Sequence, residues 1–184
     1  MLIIGALAYA FYMYFPQSSP SVARAAQGFA QELQRVRISA MQSGRTSAVS
    51  VSEGDLNPDI EGIQPGYLVY RGDEVINTVY FDPSNSAMRS SENLISGVQP
   101  VLWDCDAGQP ATVDGNTFSF EFDASGRYLS ENMTVAFGRP AEGAYPDNLS
   151  REGITTPIRF IVVTKIVGEV HTADENECMK SSKL

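Results

Sequence analysis

Three hydrophobic patterns follow one another along the chain. Residues 1–15, MLIIGALAYAFYMYF, carry no charge, and Pro16 ends the run. As a helix, fifteen residues span about 22 Å, short of the roughly 30 Å hydrocarbon core of a bilayer. Pro16-Gln17-Ser18-Ser19-Pro20 then interrupts, because a proline removes a helical hydrogen bond and crowds the preceding turn. Ser19 is placed to cap a new helix with Pro20 at its first position. From there apolar residues fall at Val22, Ala26, Phe29, Leu33, Val36 and Ala40, in steps of 4, 3, 4, 3 and 4. That spacing predicts one stripe along a helix that stops at Gly44. Phe29, Leu33, Val36 and Ala40 are expected to pack against the chain's own sheet. The small, alanine-rich stretch Val22–Gly28 is expected to meet helices of other copies.

After Gly44 the period changes from 3.6 to 2. Strands are predicted at 46–52, 67–71, 75–81, 101–103, 117–122, 134–137 and 158–171. The last is long and holds Gly168, which predicts a hairpin around Lys165–Gly168. Arg71-Gly72-Asp73, Asp114-Gly115-Asn116 and Ala124-Ser125-Gly126 supply turns. The proline- and glycine-rich stretch 138–156 reads as an exposed loop. Strands in succession without a second long helix predict an α+β fold: one N-terminal helix on an antiparallel sheet or two-sheet sandwich. Three parts are expected: an apolar segment with its proline break (1–20), an amphipathic helix (21–45) and a β-rich head (46–184).

With 184 residues and 43% apolar composition, the chain can build one good core. Charge is unevenly spread. Residues 1–45 hold Arg24, Arg35, Arg37 and Arg45 against Glu32, a net +3, which leaves −12 for residues 46–184 of the total −9. An acidic head repels phosphate backbones, so nucleic acid is a disfavoured partner. Two cysteines without CxxC spacing cannot make a zinc site. Cys105 and Cys178 are either unrelated thiols or one disulfide, and the membrane-leading segment favours the disulfide, which pins the tail.

A secretory signal peptide would place basic residues before the apolar run, and none is present. Its candidate cleavage sites, Ala6-Leu7-Ala8 and Ala8-Tyr9-Ala10, lie inside the run. The run therefore reads as a transmembrane helix lacking its beginning. No catalytic motif is found: GxSxG, P-loop, GxGxxG and HExxH are all absent. His171 is the only histidine and has no partner motif. Asp55, Asn57, Asp59 and Glu61 alternate as calcium ligands do, but Ile60 stands where a calcium loop needs glycine and Pro58 stiffens it. The stretch reads as an acidic solvated loop. Asn132-Met133-Thr134 and Asn148-Leu149-Ser150 match a glycosylation pattern that carries little weight alone. Neither enzyme activity nor a cofactor is expected.

An uncharged helix, a proline and an amphipathic helix leading into a β-rich body resemble type IV pilins and type II secretion pseudopilins. Within them the chain is similar to the minor group labelled FimT/GspH. The carriers are LQRVRISAMQSGRTSAVSV (33–51), GYLVY (66–70), FEFDASGR (120–127) and FIVVTKIVGEVHT (160–172). Their order carries the resemblance, since no motif is specific alone. Aligning the family's helix proline with Pro16 leaves the chain about six residues short at its start, and adding them lengthens the apolar helix to about 32 Å, enough to span a bilayer. The family's processed N-terminus and glutamate would lie there, and no residue of this chain matches them.

The resemblance implies a structural subunit of a pilus or secretion pseudopilus. Leu2, Ile3, Ile4, Gly5, Ala6, Leu7, Ala8, Ala10, Phe11 and Phe15 would form its membrane or filament-core segment, and Pro16 and Pro20 the helix break. Its partners would be the inner membrane and assembly platform first, then other copies or other pilins in a helical filament. It would sit as a single-pass inner-membrane protein before becoming part of a periplasmic or extracellular filament. The alternatives are a membrane-tethered β-domain that binds a ligand without polymerising, and a DNA-uptake minor pilin.

Overall fold

The structure is a computed structural model that describes residues 20–53, 65–82, 94–111, 117–130, 133–141, 154–164, 168–173 and 178. It opens with helix α1, Pro20–Ser43. The helix stops because Gly44 turns the chain out: its N–H bonds Ala40 O at 3.0 Å, and Ser43 Oγ accepts from the Arg45 N–H at 3.3 Å. The predicted start at Pro20 and stop at Gly44 are where the helix begins and ends. Ser19, the expected cap, lies outside the described residues.

Ten strands follow: β1 (Ser47–Ser52), β2 (Gly66–Arg71), β3 (Glu74–Asp82), β4 (Leu94–Ser96), β5 (Gln99–Asp104), β6 (Gln109–Pro110), β7 (Thr117–Phe122), β8 (Met133–Pro140), β9 (Ile154–Val163) and β10 (Val170–Ala173). They form two five-stranded sheets, ordered β4-β3-β2-β1-β7 and β10-β9-β8-β5-β6. Neighbours are antiparallel apart from β3 and β4, which run parallel. The α+β class and the two-sheet arrangement are thus as the alternation of residues predicts. The predicted strand 158–171 is indeed a hairpin, β9–β10, closed by Thr164 N–H to Glu169 O (2.9 Å) and Gly168 N–H to Thr164 O (2.7 Å).

Two expectations need correction. The stretch 138–156 is not wholly a loop: β8 runs on through Pro140, β9 begins at Ile154, and Pro140 pairs with Ile154 beyond an irregularity at Phe137/Arg139. A proline is admissible there because it closes the strand pairing instead of interrupting it. Strands β4 and β6 were not predicted, since three and two residues are too few to show a period.

Both faces of the second sheet are buried. Leu102, Val135, Phe137, Ile161 and Val163 face the helix and the first sheet. Their strand neighbours Val101, Trp103, Ala136, Phe160 and Val162 form a second apolar cluster with Cys105 and Cys178. Trp103 packs edge-on to Phe160, ring centroids 5.4 Å apart. The disulfide Cys105–Cys178 closes this cluster, its two ends 73 positions apart in the sequence.

Candidate functional site: the seat of the helix

The helix is wedged between the two sheets instead of lying on one. Its core stripe is Val22, Ala25, Ala26, Phe29, Leu33, Val36 and Ala40, all buried. Phe29 is the central contact. Its ring lies 5.1 Å from Tyr67 on β2, 5.6 Å from Phe120 on β7 and 5.6 Å from Phe137 on β8. One side chain thus joins the helix to three strands of two sheets, in edge-on and tilted geometries that aromatic rings favour. Each large apolar residue of the stripe contributes roughly 1.5–3 kcal/mol by its burial.

One flank of the helix is fixed by a close three-way contact. Arg37 Nε donates to Gly126 O at 3.0 Å. Gly126 follows β7 in the turn Asp123–Arg127, and Gly168 closes the β9–β10 hairpin; both have positive φ, 78° and 65°. A Cβ on Gly168 would collide with Gly126 O, and one on Gly126 would come within 2.7 Å of Met41 Sδ. At Gly168 both the backbone conformation and the fixed carbonyl call for glycine, whereas at Gly126 the positive φ is the main reason, since the Met41 side chain can move aside. The turn itself is organised by Asp123. Its carboxylate accepts from Ser125 N–H (2.8 Å), Ser125 Oγ (2.6 Å) and Arg127 N–H (3.0 Å), and pairs with Arg127 at 2.9 Å. The Ser125 hydroxyl and the amides around it hold this carboxyl well below the usual range. On the same flank Gln34 Nε2 donates to Val170 O at 3.2 Å, tying the helix to the edge of β10.

The two sheets are also linked away from the helix. Glu53 follows β1, is 6% exposed, and accepts the backbone N–H of Leu102. That amide faces the β6 side of β5, where Ala111 N–H bonds Leu102 O at 2.9 Å. Burial pushes the Glu53 carboxyl up to about 7 against the pull of the amide.

The residues expected to seat the helix, Phe29, Leu33, Val36 and Ala40, all lie in one cluster. The assignment of Val22–Gly28 to other copies is overturned: Val22, Ala25 and Ala26 are 0–1% exposed inside this chain's own core. The sheets reach past the middle of the helix, and Ser21 and Arg24 share a cavity wall with Leu94–Ser96 of β4. Cys105 and Cys178 are bonded. Pro20 opens α1, whereas Leu2, Ile3, Ile4, Gly5, Ala6, Leu7, Ala8, Ala10, Phe11, Phe15 and Pro16 lie outside the described residues. So does the acidic stretch 55–62. His171 is half-buried on β10. Among the described residues no helix is long and apolar enough to cross a membrane, and no group of three His, Cys, Asp or Glu could hold a metal.

Sequence reasoning missed the Arg37–Gly126–Gly168 contact and the Glu53 link. The first had a signal: three of the four stretches that carry the family resemblance each supply one of its members. The second had none beyond an acid directly after an apolar strand.

Among solved structures the chain is similar to the type IV minor pilin FimU of Pseudomonas aeruginosa, with 14% identity over 84% of this chain and 90% of that one and a TM-score of 0.45. It is also similar to the minor pseudopilin EpsH of the Vibrio cholerae Type 2 Secretion System, with 18% identity over 84% of this chain and 97% of that one and a TM-score of 0.39. No family model and no curated protein matches the sequence.

Proposed function

We propose that the protein is a pilin-like structural subunit of a type IV pilus or a type II secretion pseudopilus, of the FimT/GspH-like kind, that assembles through its N-terminal helix. The observation that carries this reading is the seat of α1. The head consumes the whole apolar stripe from Val22 to Ala40 and clamps the helix at Phe29, Gln34 and Arg37. Nothing of that stripe is left for lipid or for another helix. Residues 1–15 carry no charge, and in α1 the apolar residues are confined to a stripe bounded by Arg24, Gln27, Gln31 and Arg35. A helix held firmly by the head and preceded in the sequence by an uncharged segment suits a subunit stored in a membrane and later packed against its neighbours. In both places the backbone is satisfied within the helix. Before assembly the protein is a single-pass inner-membrane protein, and afterwards part of a periplasmic or extracellular filament.

Small residues decide between this role and a simple tether. Gly5, Ala6, Ala8 and Ala10 let helices approach closely, and bulk there pushes them apart, whereas lipid accepts leucine as readily as alanine. Ala6→Leu with Ala10→Leu in the full-length protein should therefore leave membrane insertion intact and lower the fraction recovered in sheared filaments. Unchanged incorporation would favour a tethered β-domain that does not polymerise.

A further inference from the structure

A cavity of about 500 Å³ opens beside the start of α1, lined by Ser21 and Arg24 of the helix, Tyr67 of β2, Val79 of β3 and Leu94 and Ile95 of β4. Two of these residues lack the partners their chemistry calls for. Tyr67 is only 3% exposed, and its ring is held by Phe29 and Phe81, with centroids 5.1 and 6.0 Å away. Its hydroxyl nevertheless has no hydrogen-bond partner among the described residues. Burial, and after it the charge of Glu32, push this phenol well above its ordinary range, so it stays protonated and is a donor. A buried donor without an acceptor is costly, which points to an acceptor supplied from outside the chain. Arg24 is exposed and takes no part in the described ion pairs, Arg35–Glu32 and Arg127–Asp123. No acid stands within a turn of it on α1, and β4 holds none. Asp82, opposite Ser96 in the β3–β4 register, is buried and alternates with Phe81 to the other face of the sheet.

A guanidinium and a phenolic O–H beside Val79, Leu94 and Ile95 match a ligand with anionic acceptor oxygens on a short carbon body. A phosphate ester has both, and arginine is well suited to binding it. Position selects its source. Residues 16–20 alone separate Ser21 from the uncharged run 1–15. With that run in a bilayer, the cavity lies level with the lipid head groups. We propose that the cavity receives the phosphate of an anionic phospholipid head group while the chain is stored in the membrane, with Arg24 and the Tyr67 hydroxyl as its donors. This deepens the reading above, on which it rests: the stored subunit gains a lipid partner that it gives up on leaving the bilayer. Residues 1–45, with a net +3, are attracted to an anionic surface, and the acidic remainder is repelled, which confines the contact to this end of the molecule.

The test places the full-length chain in vesicles of neutral phosphatidylcholine with a minority of anionic phosphatidylglycerol. Native mass spectrometry after release into a mild detergent counts the retained lipids of each kind, with thermal unfolding as the folding control. Wild type should retain phosphatidylglycerol roughly five-fold above its share, the effect of one guanidinium at an anionic surface. Arg24→Gln, a change at an exposed position, should lose that preference, and Arg24→Lys should keep part of it. Tyr67→Phe alters no charge and should lower the retention roughly two- to three-fold through the lost hydrogen bond. Arg45→Gln, beyond the far end of the helix, should leave it unchanged. Equal retention of both lipids by wild type would overturn the inference, and so would a Tyr67→Phe chain that retains lipid like wild type, since Arg24 would then act as a plain surface charge. Binding of soluble glycerol 3-phosphate without any lipid preference would assign the cavity to a free phosphate ester and overturn the lipid as its source. Each of these results leaves the subunit reading intact, whereas a chain that fails to enter vesicles refutes storage in the membrane itself.

Discussion

Replacing Gly168 with alanine probes how tightly the helix, the Asp123–Arg127 turn and the last hairpin are held together. Two costs are expected. The left-handed backbone, φ 65°, costs an alanine roughly 1–2 kcal/mol, partly offset by the 0.4–1 kcal/mol that alanine gains by restricting the unfolded chain. The second cost comes from the collision with Gly126 O, a backbone atom that cannot rotate away. Relieving it must displace the turn whose carbonyl receives Arg37 Nε. Overpacking of this kind costs roughly 1–3 kcal/mol, and a half-buried bond from a charged donor adds roughly 1.5–3 kcal/mol if it breaks. Gly72→Ala is the control, since Gly72 has φ 60° with nothing within 4 Å of a new Cβ. The expected losses are about 1 kcal/mol for Gly72→Ala and about 3–4 kcal/mol for Gly168→Ala. In a chain of this size these lower Tm by about 3 °C and 10 °C. Thermal unfolding of the full chain in a mild non-ionic detergent, followed by emission of the single, buried Trp103, measures both. If the two variants lose the same stability, the three segments are not in close contact and the proposed clamp is wrong.

Stability should rise on acidification from pH 8 to pH 5. The folded Glu53 carboxyl titrates at about 7, above its ordinary 4.5, so its contribution is full below the unfolded value and lost as pH climbs through 7. Asp123 is shifted the other way and stays ionised throughout that window. Glu53→Gln should flatten the dependence in denaturant titrations at several pH values, and an unaltered slope would exclude Glu53 as its source. The Cys105–Cys178 bridge closes a 73-residue separation, so its reduction should cost roughly 4 kcal/mol in the chain-entropy view. Intact-mass analysis of exported protein after alkylation under non-reducing, denaturing conditions should find no free thiol; two alkylated cysteines would contradict the bridge.

The helix and the longer strands were legible because their signals are local. Six apolar residues at helical spacing and a glycine mark α1, and alternation marks β1, β2, β3 and β7. The hairpin at Gly168 was legible for the same reason. What the sequence hid was nonlocal. Val22 and Ala26 belong to the same stripe as Phe29, yet nothing in their spacing tells whether this chain or another covers them. Small residues suit both, and the reach of the sheets decided it. The second buried face of β5, β8 and β9 was hidden too, since strands buried on both sides read as plain apolar runs. The seat itself was half legible. Phe29 announced itself, whereas Arg37, Gly126 and Gly168 are ordinary residues until the fold puts them in contact.

The seat also constrains the order in which the molecule can become itself. Helix α1 is the first described element to be synthesised, but its contacts are among the most distant in the chain. Arg37 bonds a residue 89 positions later, and Gln34 one 136 positions later. Local pairs such as β2–β3 can close early, but Phe29 has no complete surroundings until β7 and β8 have emerged, and the flank of the helix has none until β10 has. Closing such long loops costs entropy before any contact repays it, which places the protein among slow folders. Throughout that interval Val22, Phe29, Leu33 and Val36 form an open apolar strip next to an already apolar segment. A nascent chain in this state is prone to capture by any apolar surface. Loss of the last hairpin, by truncation or frameshift, leaves it there permanently.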